Sequence, residues 1–108
     1  MGRAVAITDA TFKAEVYESD KPVLTHFWAT WCEPCKALAP ILDELTRDLR
    51  GQIRVATLDV DANVASANLL GVQNLPTLIL FKNGRPAARL VGLKTKDQLM
   101  ESLAPHLI

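Results

Sequence analysis

The chain has 108 residues, 49% hydrophobic and 22% charged, a size and composition typical of one globular domain. Twelve basic and twelve acidic residues cancel, which argues against a nucleic-acid groove or an anionic membrane surface as the partner. The apolar runs are too short to span a bilayer, and the first residues lack the features of a secretory signal. Provided that the chain is complete, we expect a cytoplasmic protein.

Apolar periodicity and turn residues divide the chain into alternating strands and helices. In chain order they predict a strand at Arg3–Ile7, capping residues Thr8 and Asp9, a helix at about Thr11–Glu18, a strand at Val23–Ala29, a helix after Cys35, a strand at Ile53–Val60, a helix at Ala62–Leu70, strands at Leu78–Phe81 and Ala87–Val91, and a last helix capped by Thr95 and Gln98.

Three features of this order predict the sheet. The nearly continuous apolar run at Val23–Ala29 indicates a strand that is buried on both faces. The next strand follows after a crossover of the length that a parallel βαβ unit needs. Asn83-Gly84 between two apolar runs is a strong hairpin signal. We therefore expect one mixed sheet with helices on both faces.

Both cysteines, Cys32 and Cys35, lie between an apolar strand and an amphipathic helix. A Cys-x-x-Cys pair in this context is typical of a dithiol redox site. We expect Cys32 at the helix N-terminus, with Pro34 in the first turn, where its missing N–H costs nothing. Backbone N–H groups and the helix dipole then stabilise the Cys32 thiolate. Cys32 is predicted to attack a disulfide, and the more deeply buried Cys35 to resolve the mixed disulfide.

The alternative use of such a pair is a metal site. Structural zinc needs four ligands, usually from two such pairs. This chain has one pair and two isolated histidines, His26 and His106, neither at ligand spacing. The pattern favours redox chemistry and predicts no bound metal. The chain also lacks a nucleotide-binding glycine motif, so we expect no bound cofactor.

Several separate motifs resemble those of thioredoxins, in the right order and over essentially the whole chain. They are Phe27-Trp28-Ala29, Trp31-Cys32-x-Pro34-Cys35-Lys36, Ala39-Pro40-Ile41-Leu42-Asp43-Glu44, Leu75-Pro76-Thr77-Leu78, Phe81-Lys82-Asn83-Gly84 and Val91-Gly92. The resemblance implies one thioredoxin domain over residues 1–108, an α/β fold with a central mixed sheet of about five strands and about four flanking helices. It also implies a monomeric protein-disulfide reductase of the cytoplasm, active in electron transport and cell redox homeostasis.

The resemblance further implies site residues and partners. It places a cis peptide bond before Pro76, packed beside the dithiol, and a flat docking surface for extended segments of protein disulfides. The residues implied for this surface are Trp31, Glu33, Pro34, Val60, Leu75, Pro76, Val91 and Gly92. For Leu75 and Val91 the alternative is ordinary core packing. The oxidised pair is expected to be reduced by an NADPH-dependent flavoenzyme similar to thioredoxin reductase.

Glu33 departs from the family pattern, whose commonest motif has Gly between the first cysteine and the proline. At about 7 Å and an effective dielectric near 40, a carboxylate repels the Cys32 thiolate by roughly 1 kcal/mol. This repulsion raises the pKa of Cys32 and makes the dithiol more reducing. The alternative is an exposed residue of small effect.

His26 departs more sharply. The family commonly has a buried Asp here, thought to carry a proton to or from the second cysteine, and a Lys where Thr57 stands. Two interpretations are open. His26 accepts a proton from Cys35 through a water, since the ordinary pKa of imidazole lies near the operating pH. Or it is a core residue, hydrogen-bonded to Thr57 or to the backbone, with no catalytic part.

Two other functions remain open. An oxidant or isomerase differs from a reductase by a reduction potential well above that of cytosolic glutathione. A binding subunit with the same fold uses the apolar surface without redox turnover, and it keeps its function when both cysteines are changed to Ser.

Overall fold

Five strands form one mixed sheet in the computed structural model, which describes residues 4–107. The strands are β1 (Val5–Ala6), β2 (Val23–Trp28), β3 (Arg54–Asp59), β4 (Thr77–Lys82) and β5 (Arg85–Val91). Their order across the sheet is β1-β3-β2-β4-β5, with β1, β3 and β2 parallel and with β4 antiparallel to both β2 and β5. The predicted mixed sheet, a parallel half joined to a hairpin half, is confirmed.

The apolar run predicted as a buried strand forms β2, at the centre of the sheet. Every residue of β2 except Trp28 is buried. Because helices cover both faces of β2, its side chains need not alternate between apolar and polar. His26 lies directly beside Thr57 of β3 in the parallel register.

Helical segments cover both faces of the sheet. They are a π-helical turn (Lys13–Tyr17), α1 (Glu33–Asp48), α2 (Val64–Leu69), α3 (Lys96–Leu103) and a closing 3₁₀ turn (Ala104–His106). The helix predicted at 11–18 is therefore only a π-helical turn. So short a segment cannot hold an α-helix by propensity, and the packing of the buried Phe12 and Val16 decides its shape instead.

Asp9 caps a different helix from the one that the sequence predicts. Its carboxylate accepts hydrogen bonds from the backbone N–H groups of Ala65 and Ser66, at the start of α2. The hydrogen bonds from Ser66 hold the pKa of Asp9 below its usual value. The cap comes from 56 residues away in the sequence, so a local pattern could not reveal it. α2 is also shorter than the predicted helix at 62–70.

The last helix follows its prediction closely. The Thr95 hydroxyl accepts a hydrogen bond from the Gln98 N–H, and the Gln98 side chain accepts one from the Thr95 N–H. These two bonds form the predicted capping box. α3 ends at Leu103, two residues before Pro105, which cannot continue an α-helix.

The core consists of two apolar clusters, one on each face of the sheet. Beneath α1 and α3 lie Leu24, Leu38, Leu42, Leu45, Leu49, Ile53, Val55, Leu78, Leu80, Leu99 and Leu103. Beneath the π-helical turn and α2 lie Ile7, Phe12, Val16, Val23, Phe27, Ala56, Leu58, Ala67, Ile79 and Phe81. The two clusters pack against β2 and α1, so both ends of the loop that leads to Cys32 are anchored in the core, and Cys35 lies in the first turn of α1.

One strand prediction needs adjustment, and the predicted hairpin forms. The strand predicted at 3–7 is limited to Val5–Ala6, although the Ile7 N–H still bonds to the Thr57 carbonyl. Arg3 lies outside the described residues. The hairpin forms at Asn83-Gly84, where both residues have positive φ. A Cβ on Gly84 would lie 2.9 Å from the Tyr17 carbonyl oxygen, so the turn also requires glycine for space.

Across residues 4–107, no helix is long and apolar enough to cross a membrane.

Candidate functional site

Cys32 is the N-cap residue of α1, as its sequence context predicts. Its backbone is extended, and its Sγ accepts a hydrogen bond of 3.2 Å from the Cys35 N–H. Pro34 lies in the first turn of α1, where no N–H is needed. The Cys35 N–H and the positive end of the helix dipole therefore act on the Cys32 sulfur, and both stabilise a thiolate there.

The two cysteines form a disulfide, with Cα atoms 5.3 Å apart. Both are buried, Cys32 with 4% and Cys35 with 1% of its surface exposed. Ala29 completes this small cluster, and Val60 and Leu75 pack against it. The bond joins residues three apart, so it closes within the first turn of α1.

A groove, here the Trp31 groove, includes Val60 and Leu75, which pack against the cysteine pair. It has a volume of about 370 Å³ and is lined by Trp31, Val60, Val72, Gln73, Asn74 and Leu75. Three of the residues implied for the docking surface, Trp31, Val60 and Leu75, thus share one groove. Leu75 is partly buried, so it lines this groove and also packs against the core, and both interpretations of the position remain open.

The Trp31 side chain is 66% exposed, yet it is held in place. Its indole Nε1–H donates a 2.8 Å hydrogen bond to the Asp61 carboxylate, and the Asp61 N–H in turn donates to Asp59. Asp61 is not among the site residues predicted from the sequence. Its position could have indicated it, because Asp61 follows a parallel strand at the edge of the sheet where the dithiol loop also lies.

The other implied site residues lie around the same edge. The Leu75–Pro76 peptide bond is cis, the geometry that the resemblance implies. The Pro76 carbonyl accepts a 2.9 Å hydrogen bond from the Gly92 N–H, and Val91 pairs with Thr77. Val91 is 46% exposed, so it too is a surface residue. Pro34 is exposed in the first turn of α1.

Glu33 points into solvent rather than at the Cys32 sulfur. Its side chain is 82% exposed, and Lys36 Nζ lies 3.1 Å from Glu33 Oε2. The paired charge and the surrounding water both weaken the field of the carboxylate at Cys32. This geometry favours the interpretation of small effect.

A second depression, here the His26 pocket, adjoins Cys35. It has a volume of about 220 Å³, is partly open to solvent, and is lined by His26, Trp28, Cys35, Lys36, Ala39 and Thr57. The pocket therefore includes both His26 and Thr57, which stand where the family commonly has a buried Asp and a Lys. Most of its lining is apolar.

His26 is only 3% exposed, and its Nε2 has no hydrogen-bond partner among the described residues. If His26 were purely structural, we would expect it to form a hydrogen bond with Thr57 or the backbone. Nε2 makes no such bond. Burial lowers the pKa of His26 from 6.5 to about 4. The imidazole is consequently neutral at ordinary pH, and His26 lines the same pocket as Cys35.

Within the described part of the chain, no three His, Cys, Asp or Glu side chains are grouped so that they could hold a metal ion.

Comparison with known proteins agrees with this geometry. The family model described as "Thioredoxin" matches residues 3–105. A protein named "Thioredoxin" from Mycolicibacterium smegmatis is 49% identical over 105 residues, covering 95% of this chain and 94% of the relative. Another of the same name from Mycobacterium tuberculosis strain H37Rv is 48% identical over 100 residues, covering 93% of this chain and 86% of the relative.

One further relative is a longer protein. The "Bifunctional thioredoxin reductase/thioredoxin" of Mycobacterium leprae is 48% identical over 103 residues, which cover 95% of this chain. The chain spans only 22% of the length of that relative.

Proposed function

This chain belongs to the thioredoxin family and is a thiol–disulfide oxidoreductase, and from that premise we propose that it reduces disulfide bonds of other proteins. The observation that carries the proposal is the position of Cys32, which caps α1 where backbone N–H groups and the helix dipole stabilise a thiolate. We propose that residues 1–108 act as one monomeric thioredoxin domain.

The reaction starts from the dithiol. The Cys32 thiolate attacks one sulfur of the substrate disulfide, a mixed disulfide forms, and the other substrate sulfur leaves as a thiolate. Cys35 then attacks Cys32 Sγ, which releases the second substrate thiol and closes the Cys32–Cys35 bond. Two electrons pass from the cysteine pair to the substrate, and the Cys35 proton must leave as its sulfur attacks.

The Trp31 groove and the cis peptide before Pro76 are the proposed docking surface. Trp31, Val60 and Leu75 supply its apolar part, while Pro34, Val91 and Gly92 extend it around the dithiol. An extended segment of the substrate would lie there with its disulfide over Cys32. Glu33, which is exposed beside Pro34, borders this surface.

We assign to His26 the role of proton acceptor for Cys35. The support is geometric, since His26 and Cys35 line the same pocket and Nε2 of His26 has no hydrogen-bond partner among the described residues. A neutral imidazole can accept a proton, although its depressed pKa makes it a weak base. His26→Asp, alone and with Thr57→Lys, is expected to shift the pH profile of the resolving step. If neither variant changes that profile, His26 has no part in proton transfer.

The oxidised pair needs a partner that returns two electrons. We propose a flavoenzyme similar to thioredoxin reductase, supported by the Mycobacterium leprae relative, whose name joins a reductase and a thioredoxin in one protein. A dithiol reductase also needs a reducing compartment, so we propose the cytoplasm as its location.

The test is the reduction of insulin by catalytic amounts of the protein with dithiothreitol as the electron donor. The wild type is expected to accelerate reduction, and Cys32→Ser to abolish the acceleration. Cys35→Ser is expected to accumulate a covalent complex with insulin, visible by mass spectrometry and released by excess dithiothreitol. A variant with both cysteines changed to Ser that kept the function would instead indicate a binding subunit.

A further inference from the structure

Asn63 stands at the N-cap position of α2, yet its side chain does not cap that helix. Asparagine is among the preferred N-cap residues because its side-chain oxygen can accept a hydrogen bond from the first helical turn. Within residues 4–107, the Asn63 side chain makes no such bond, and the Asp9 carboxylate accepts from Ala65 and Ser66 instead. The Asn63 carboxamide is therefore free to bond elsewhere.

The Asn63 carboxamide closes the loop that follows β3. Its Nδ2–H donates a 3.1 Å hydrogen bond to the Asp59 carbonyl, and its Oδ1 accepts a 2.9 Å hydrogen bond from the Asp9 N–H. The first bond joins the two ends of loop 59–63, and the second ties the loop to the segment that follows β1. Because one bond needs a donor and the other an acceptor, the position requires a side chain that has both.

The same loop carries the residue that holds Trp31. The Asp61 carboxylate accepts the 2.8 Å hydrogen bond from the indole N–H, and the Asp61 N–H donates a 2.9 Å hydrogen bond to the Asp59 carboxylate. Asp61 is exposed, so its position depends on these bonds rather than on burial in the core. A chain of hydrogen bonds thus runs from Asn63 through the loop to the Trp31 ring.

We propose that Asn63 is a positioning residue for the docking of protein disulfides, because it closes the loop that holds Asp61 against the Trp31 indole. The inference rests on the proposed function, in which a substrate segment lies in the Trp31 groove. Asn63 does not line that groove, so it acts on the substrate only through Asp61 and Trp31. A ring that is already held loses less conformational freedom when a partner binds to it.

The first experiment follows the Trp31 indole ¹H–¹⁵N signal of the oxidised protein by NMR, which needs no turnover. Asn63→Ala is expected to move this signal in the same direction as Asp61→Ala, because both weaken the bond to the indole. Asn63→Asp keeps the acceptor for Asp9 but lacks the donor for the Asp59 carbonyl, so it is expected to move the signal as well. An unmoved signal in Asn63→Ala, or a wild-type signal in Asn63→Asp, would overturn the proposal.

Asp9→Ala is the matched control for a loss of stability. It removes the carboxylate that caps α2 but keeps the backbone N–H that bonds to Asn63. This variant is expected to unfold at a lower urea concentration and to keep the Trp31 indole signal at its wild-type position. A shift equal to that of Asn63→Ala would contradict the proposal, because the loop would then respond to any loosening of α2.

The second experiment measures the reduction of insulin and of a small aromatic disulfide. Asn63→Ala is expected to lower kcat/KM for insulin about threefold, through KM, and to leave the small disulfide unaffected. In the Asp61→Ala background the same substitution is expected to lower it no further. Equal losses for both substrates, or the full loss in that background, would overturn the positioning role. Failure of the proposed function is distinguishable, because a wild type that does not reduce insulin would still show the indole shifts that Asn63 controls.

Discussion

The Trp31 groove and the His26 pocket adjoin the same cysteine pair but satisfy their polar groups in opposite ways. In the groove, the indole N–H of Trp31 is bonded to Asp61, and the apolar ring remains exposed. In the pocket, the His26 ring is buried and its Nε2 is unpartnered within residues 4–107. An exposed apolar ring whose polar group is satisfied suits contact with a protein partner, whereas a buried imidazole with an unpartnered nitrogen suits the transfer of a proton.

The largest effect is expected in the groove. Trp31→Ala removes its most exposed apolar side chain and should lower kcat/KM for insulin about 30-fold, or about 2 kcal/mol. A small aromatic disulfide does not need the groove, so its reduction should change little. The control Leu69→Ala removes an even more exposed apolar side chain outside the groove and should leave both rates unchanged. Equal losses for both substrates would show that Trp31 acts on the dithiol chemistry instead of docking.

The burial of His26 in the pocket should make the free energy of unfolding depend on pH. Burial lowers the pKa of His26 from 6.5 to about 4, so the unfolded chain takes up this proton first as the pH falls. From pH 7 to pH 5 the free energy of unfolding should therefore fall by about 2 kcal/mol through this group alone. His26→Leu should remove that part of the fall, and His106→Gln should retain it. Urea unfolding at both pH values measures the difference, and an identical fall in His26→Leu would contradict a buried neutral imidazole.

A smaller effect is expected from the group that holds Trp31. Asp61→Ala removes the acceptor of the indole N–H and should lower kcat/KM for insulin about fivefold, or about 1 kcal/mol. Asp97→Ala makes the same change of charge at the start of α3 and serves as the control. If the two variants behave alike, Asp61 acts through its charge and not through orientation of Trp31.

The smallest effect is expected at Glu33. Its exposed, Lys36-paired carboxylate should influence the thiolate weakly, so Glu33→Gln should raise the reduction potential by less than about 20 mV. Lys36→Gln should shift it in the opposite direction. A rise well beyond this range would show that the carboxylate acts directly on Cys32.

The sequence predicted the groove better than the pocket, for physical reasons. Local sequence patterns predict three features: the buried strand β2, the cap position of Cys32 and the capping box of α3. The residues of the proposed docking surface were predicted from the resemblance to thioredoxins, at the positions where this chain matches the motifs of that family. Asp61 was missed because its partner is 30 residues away, and Asp9 was assigned to the wrong helix for a similar reason. The missing partner of His26 depends on packing in three dimensions, and a sequence pattern cannot show it.

The most direct test of the reductase assignment is the reduction potential of the Cys32–Cys35 pair. The protein would be equilibrated with glutathione or dithiothreitol mixtures at pH 7, and the emission of Trp28 and Trp31 would report the oxidised fraction. The account predicts a potential of about −220 mV or lower, at or below that of cytosolic glutathione. A potential above about −180 mV would contradict it and would identify the protein as an oxidant or isomerase.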